Sequence, residues 1–147
     1  MKPKRIVLLL LLVLVIVGVV NYMGNQQKPT FKGVSALQVK PMGNNGYRYT
    51  GIIEVYNPSI FQLRLSAIDL YFSLNGISVG QITNPINFDI ASKATKGFPF
   101  EIRFEKNSLE MKANEPVSAY FKGTFSNSSL FSKLSMEIDT TETFSIQ

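Results

Sequence analysis

Phe98, Phe100, Ile102 and Phe104 alternate with Pro99, Glu101, Arg103 and Glu105, so one side of this segment is apolar and the other largely charged. Successive side chains of an extended chain point to opposite faces, so this pattern demands a strand with one buried and one solvated side. The same period of two runs through most of the chain beyond residue 33, and no amphipathic helical repeat competes with it there. In Gly46–Tyr56, residues Tyr47, Tyr49, Ile53 and Val55 share one face, and the strand stops at Asn57-Pro58. Proline has no N–H for a ladder, and asparagine favours turns.

Leu63 and Leu65 share one parity while Ile68, Leu70, Phe72 and Leu74 share the other. A plain strand would leave half of that set in water, so a β-bulge is predicted near Ser66–Ala67. Asn75-Gly76 supplies two residues tolerant of positive φ, as a type I′ hairpin requires, with a return strand over Ile77–Thr83. A first strand is predicted near residues 34–41. Val117, Ala119, Phe121 and Phe125 mark another, and Leu130, Leu134, Met136 and Ile138 a further one after a loop at Ser126–Ser129. A tail strand through Phe144 and Ile146 closes the set. Pro99 points to an edge or strand-start position. Seven to eight short strands in about 115 residues predict an all-β chain, an antiparallel β-sandwich.

The N-terminus is of a different kind. Lys2, Lys4 and Arg5 precede an uninterrupted apolar run from Ile6 that reaches Val20 with only Gly18 inside it. Residues 1–23 read as a signal anchor whose helix crosses a membrane, and the basic cluster would stay cytoplasmic and touch the membrane surface. The alternative is a cleaved signal peptide and a secreted domain, but no alanine or serine occurs before Ser35 to make a small-residue cleavage site. Residues 24–32 read as a short polar tether and residues 33–147 as the domain, placed in the periplasm, a lumen or outside the cell. Three of the 15 basic residues and none of the ten acids lie in the leader, so the remainder carries only +2. That charge gives no reason to expect a nucleic-acid partner.

Histidine and cysteine are absent, and with them Cys/His zinc sites, disulfides, thiol nucleophiles and Ser-His-Asp triads. Glu101 and Glu105 would lie about 13 Å apart on one strand face, beyond the reach of a glycosidase pair, with Arg103 between them. Asp69 and Asp89 stand isolated, and Gly43-Asn44-Asn45-Gly46 matches no phosphate loop. No catalytic residue, cofactor or metal site is expected. Lys93, Lys96 and Lys106 read as surface lysines, with contact to anionic headgroups as the functional alternative. Asn127-Ser128-Ser129 has the form of an N-glycosylation acceptor.

The segment from Gly51 to Phe104 resembles the late embryogenesis abundant type 2 (LEA-2) family, also called the water-stress and hypersensitive-response domain. The features that carry the resemblance are Asn57-Pro58 at a strand end, Phe61, Leu63 and Leu65 after it, a Tyr71-centred strand, Asn75-Gly76, Gly80, and Ala91–Thr95 before an alternating strand. It covers about 54 residues closely and about 110 loosely, and Ser59 stands where members often carry a second asparagine. The resemblance implies a seven-stranded immunoglobulin- or fibronectin-III-like sandwich, often behind one membrane span, and a role in stress protection without catalysis. Asn57, Pro58, Phe61, Tyr71, Asn75, Gly76 and Gly80 read as motif residues with structural roles. The expected function is therefore non-enzymatic stress protection or envelope organisation at the outer membrane face. Binding or transfer of lipid or another hydrophobic ligand, and an adhesion or assembly scaffold, are the alternatives, with lipid or an envelope protein as the partner.

Overall fold

The computed structural model describes residues 3–43, 45–105, 109, 111–128 and 133–146. Among them are one helix, α1 (Pro3–Gln26), and seven strands: β1 (Thr30–Met42), β2 (Gly46–Tyr56), β3 (Leu63–Leu74), β4 (Ile77–Ile90), β5 (Thr95–Glu105), β6 (Pro116–Ser128) and β7 (Lys133–Ser145). Lys4–Tyr22 of α1 is long and apolar enough to cross a membrane. The strands form two antiparallel sheets, β1-β2-β5 and β4-β3-β6-β7. Because β4 pairs with β3 rather than joining the first sheet, the split is three against four.

The alternating apolar rows meet between the sheets. Tyr47, Tyr49, Ile53 and Val55 of β2 are buried, as are Leu63, Leu65, Ile68, Leu70, Phe72 and Leu74 of β3. Both parities of β3 reach the core because the register against β4 shifts between Leu65 and Ala67, where the apolar pattern changes phase. Tyr49 and Phe100 from one sheet meet Phe72 and Phe121 from the other with ring centroids 4.9–6.4 Å apart. Phe98 packs edge-on against Phe88 and Phe125 at 5.5 and 5.3 Å. Aromatic rings thus tie the layers at two points.

Asn75 and Gly76 sit at φ 48° and 79°, the left-handed pair that the two-residue hairpin needs. Pro99 lies on β5, an edge strand of its sheet.

Four strand limits differ from the sequence-based expectation. β1 covers Thr30–Met42 rather than residues 34–41, and β4 continues past Thr83 to Ile90. β6 runs through Ser126 to Ser128, where a loop was expected. The expected tail strand is the second half of β7, which continues unbroken from Lys133 to Ser145. Leu130 and Ser129 lie outside the described residues, as do Lys2, Asn44 and Lys106. Between α1 and β1 only Gln27, Lys28 and Pro29 intervene, and Pro29 is buried.

The pairing fixes which loops share an end. Thr30 pairs with Tyr56, Tyr56 with Thr95, and Leu63 with Ile90. The β2–β3 loop and the β4–β5 turn therefore lie at the end where the chain enters from α1. The Asn75-Gly76 hairpin and the β5–β6 connection lie at the other.

Candidate functional site

The loop after β2 is built on Asn57, the buried polar side chain of the core, with no exposed surface. Its Nδ2 donates to the carbonyl oxygens of Phe61 (2.8 Å), Ile90 (3.1 Å) and Ala91 (3.2 Å), two hydrogens shared among three acceptors. Its Oδ1 accepts the Ser59 N–H at 2.9 Å, closing the tight turn for which an Asn-Pro sequence is suited. Its own N–H donates to the Ala94 carbonyl at 2.9 Å. One side chain therefore holds the end of β2, the start of β3 and the end of β4.

The facing turn returns these contacts. The Lys93 N–H and the Ser92 hydroxyl both donate to the Ser59 carbonyl, at 3.2 and 3.0 Å, and Lys93 Nζ donates to the Pro58 carbonyl. Lys93 holds φ at 55°, a left-handed position inside the turn. Ser59 Oγ accepts the Phe61 N–H at 3.0 Å. At the position where the resembled family often has asparagine, the serine hydroxyl supplies the acceptor that keeps the loop folded.

The loop cannot then tuck its tip inward. Ile60 and Phe61 are 55% and 58% exposed, while Leu63, two residues on, is buried. Around the tip lies a mostly cationic rim. Arg64 holds Asp89 in a two-point ion pair at 2.6 and 2.8 Å. That hydrogen bond, with the charges of Arg64 and Lys96 adding to it, holds the Asp89 carboxyl below its ordinary pKa. Lys96 Nζ donates to the Asp89 carbonyl and sits 5.0 Å over the Phe88 ring, and Lys32 sits 5.1 Å over the Tyr56 ring. The face offers an apolar tip and ammonium and guanidinium groups, a combination that suits an amphipathic, anionic surface.

Of the motif residues, Asn57, Pro58 and Phe61 are brought together here. Tyr71 is 48% exposed in the middle of β3, opposite Gln81 and Lys122. Asn75-Gly76 turns the chain at the far end, where Asn75 exchanges hydrogen bonds with Ser118 at 2.8 and 2.9 Å. Gly80 lies on β4 under Ile102, whose Cγ2 would come within 2.7 Å of an added Cβ. Lys4 and Arg5 are exposed on the first turns of α1. Asp69 accepts bonds from Gln81 and Thr83 across the β3–β4 pair, and Glu101 pairs with Arg103 at 2.9 Å. Sequence reasoning missed Ile60 and the Ser59 hydroxyl. The available signal was an adjacent pair of large apolar residues inside a turn, where polar residues are the rule.

The space between the sheets, where a hydrophobic ligand would sit, is filled by the aromatic rings described above. Clefts lie instead at the seam of β1 and β7, about 190 Å³ beside Leu37, Val39 and Ile146, and over the irregular β1, about 460 Å³ beside Ala36, Ile52 and Pro99.

No family model and no curated protein sequence matches this chain. Its fold is shared with solved structures. The crystal structure of a protein from Archaeoglobus fulgidus superposes with a TM-score of 0.52 at 11% identity, over 80% of this chain and 98% of that one. The solution structure of AT1g01470 from Arabidopsis thaliana gives a TM-score of 0.62, also at 11% identity, over 82% of each chain. This chain is thus similar in fold, across most of its β domain, to an archaeal and a plant protein.

Proposed function

We propose that the chain is a single-pass membrane protein whose β-sandwich works without catalysis at the outer membrane face, in stress protection or organisation of the envelope. The observation that carries this reading is α1: its large apolar side chains, from Ile6 to Tyr22, are all 45–70% exposed, so the sandwich gives them no burial. A helix apolar on every side needs a hydrocarbon surrounding, and 19 residues at about 1.5 Å each span about 28 Å, close to a bilayer core. The basic residues before it favour a cytoplasmic N-terminus.

Absence of catalysis is supported by the residue types, since the chain has no histidine or cysteine. A LEA-2-like role is supported by the resemblance of Gly51–Phe104 to that family and by the shared fold with a plant protein. Two measurements test the reading. A single Ala113→Cys probe on intact cells should react with a membrane-impermeant maleimide, and protection of the thiol until lysis would contradict the orientation. Cells lacking the gene should survive drying, salt or freezing less well than the parent. Equal survival, together with no protection of a test enzyme in vitro, would contradict the protective role.

A further inference from the structure

The loop end of the sandwich combines an apolar tip, a cationic rim and the point where the chain leaves α1, and we propose that Ile60 and Phe61 dock into the surface of the bilayer that α1 crosses. This inference rests on α1 spanning a membrane and adds which face of the domain meets that membrane.

Reach comes first. From Tyr22, the end of the apolar span, α1 continues four residues to Gln26, and Gln27, Lys28 and Pro29 lead to β1. Four helical residues and three extended ones reach at most about 16 Å. Headgroups occupy about 5–8 Å of that distance, and the buried Pro29 already belongs to the domain. The register places Tyr56 directly beside Thr30, so the loop that begins at Asn57 opens at the tether's end of the sandwich. The opposite end, with the Asn75-Gly76 hairpin, is a strand length further away.

Shape and charge agree with reach. The tip is held out by a network of backbone bonds to Asn57, Ser59 and Lys93, so little ordering remains to be done when it meets a partner. An aromatic and a branched aliphatic side chain at a protruding turn match the interfacial zone of a bilayer, where apolar bodies bury and polar backbone stays wet. Lys28, Lys32, Lys93, Lys96 and Arg64 lie at this end of the sandwich, against the acids Glu54 and Asp89, so the end carries the sign that anionic headgroups attract.

The absence of native cysteine makes the test direct. Full-length chain with a nitroxide at Gln62→Cys or Ala113→Cys is reconstituted into bilayers of phosphatidylcholine and phosphatidylglycerol. The label at 62 is expected to collide more with oxygen than with an aqueous nickel chelate, and the label at 113 to do the reverse. Adding Ile60→Ser and Phe61→Ser is expected to return the label at 62 to water without lowering the melting temperature, because both side chains are exposed. An aqueous label at 62 in a chain that stays with carbonate-washed bilayers would overturn the docking alone. Release of the chain by carbonate would overturn the membrane-spanning reading, and the docking with it.

Discussion

Asn57 commits its side chain to the backbone, with three carbonyls around Nδ2 and one N–H on Oδ1. Asn57→Ala leaves those carbonyls without their donor, and the expected loss is about 2–4 kcal/mol in a urea melt. Asn57→Asp keeps the shape but presents a carboxylate to carbonyl oxygens. Burial and that repulsion raise its folded pKa, so the variant is expected to be most stable below the ordinary aspartate range and to lose stability as pH rises through the raised value. Melts at about pH 4 and about pH 7 would show it. A variant more stable at the higher pH would mean that Nδ2 is not the donor. Tyr49 is the contrasting case, fully buried with no hydrogen-bond partner for its hydroxyl among the described residues. Tyr49→Phe is expected to raise stability by about 1 kcal/mol, or about 4 °C in melting temperature. Burial also pushes the Tyr49 hydroxyl far above its ordinary pKa of 10.0. Stability tied to the neutral hydroxyl is therefore intact below that value and lost as pH rises above it, and the phenylalanine variant should be less sensitive to alkali. The motif at Asn57 was visible in the sequence, whereas its burial was not, because two of its acceptors lie 33 and 34 residues away.

Strand faces were legible because alternation is a local property, and among the described residues each inner row read from the sequence is the row that packs. The bulge of β3 was legible for the same reason, as a phase change in one apolar run. Strand ends were less so. The return strand was expected to end at Thr83, yet β4 passes through Asn84-Pro85, with Pro85 opposite Ala67 beside the register shift of β3; β4 is an edge strand, the place in a sheet where proline is tolerated. In β7 the inner row continues from Leu134, Met136 and Ile138 through Thr140 and Glu142 to Phe144, and the two polar residues disguise one strand as two. Gly123 lies on β6, between the inner-row residues Phe121 and Phe125. It pairs with Leu70 at φ 154°, and a Cβ there would stand 1.9 Å from the Asp69 carbonyl oxygen and 2.8 Å from Leu70 Cα. Both neighbours are backbone and cannot swing aside. Gly123→Ala is therefore expected to cost about 3 kcal/mol or more. Gly→Ala in regular structure ordinarily gains about 0.5–1 kcal/mol, so an unchanged or raised stability would show that β3 and β6 are not that close.

At the scale of the whole molecule, two unlike parts meet over three residues. The helix has apolar side chains and no protein to bury them, and the sandwich has a filled interior and leaves Ile60 and Phe61 exposed at the end nearest the helix. In the proposed reading, one lipid bilayer covers both. The two-part organisation could be read from charge and hydropathy along the chain, but the loop end could not, because only strand pairing decides which loops share an end. The most direct measurement is the intact mass of the chain recovered from cell membranes washed with alkaline carbonate. Full-length chain, leader included, in the washed pellet is the expected result. A shortened chain in the soluble fraction, lacking the residues up to about Gly24, would contradict the membrane-anchored account.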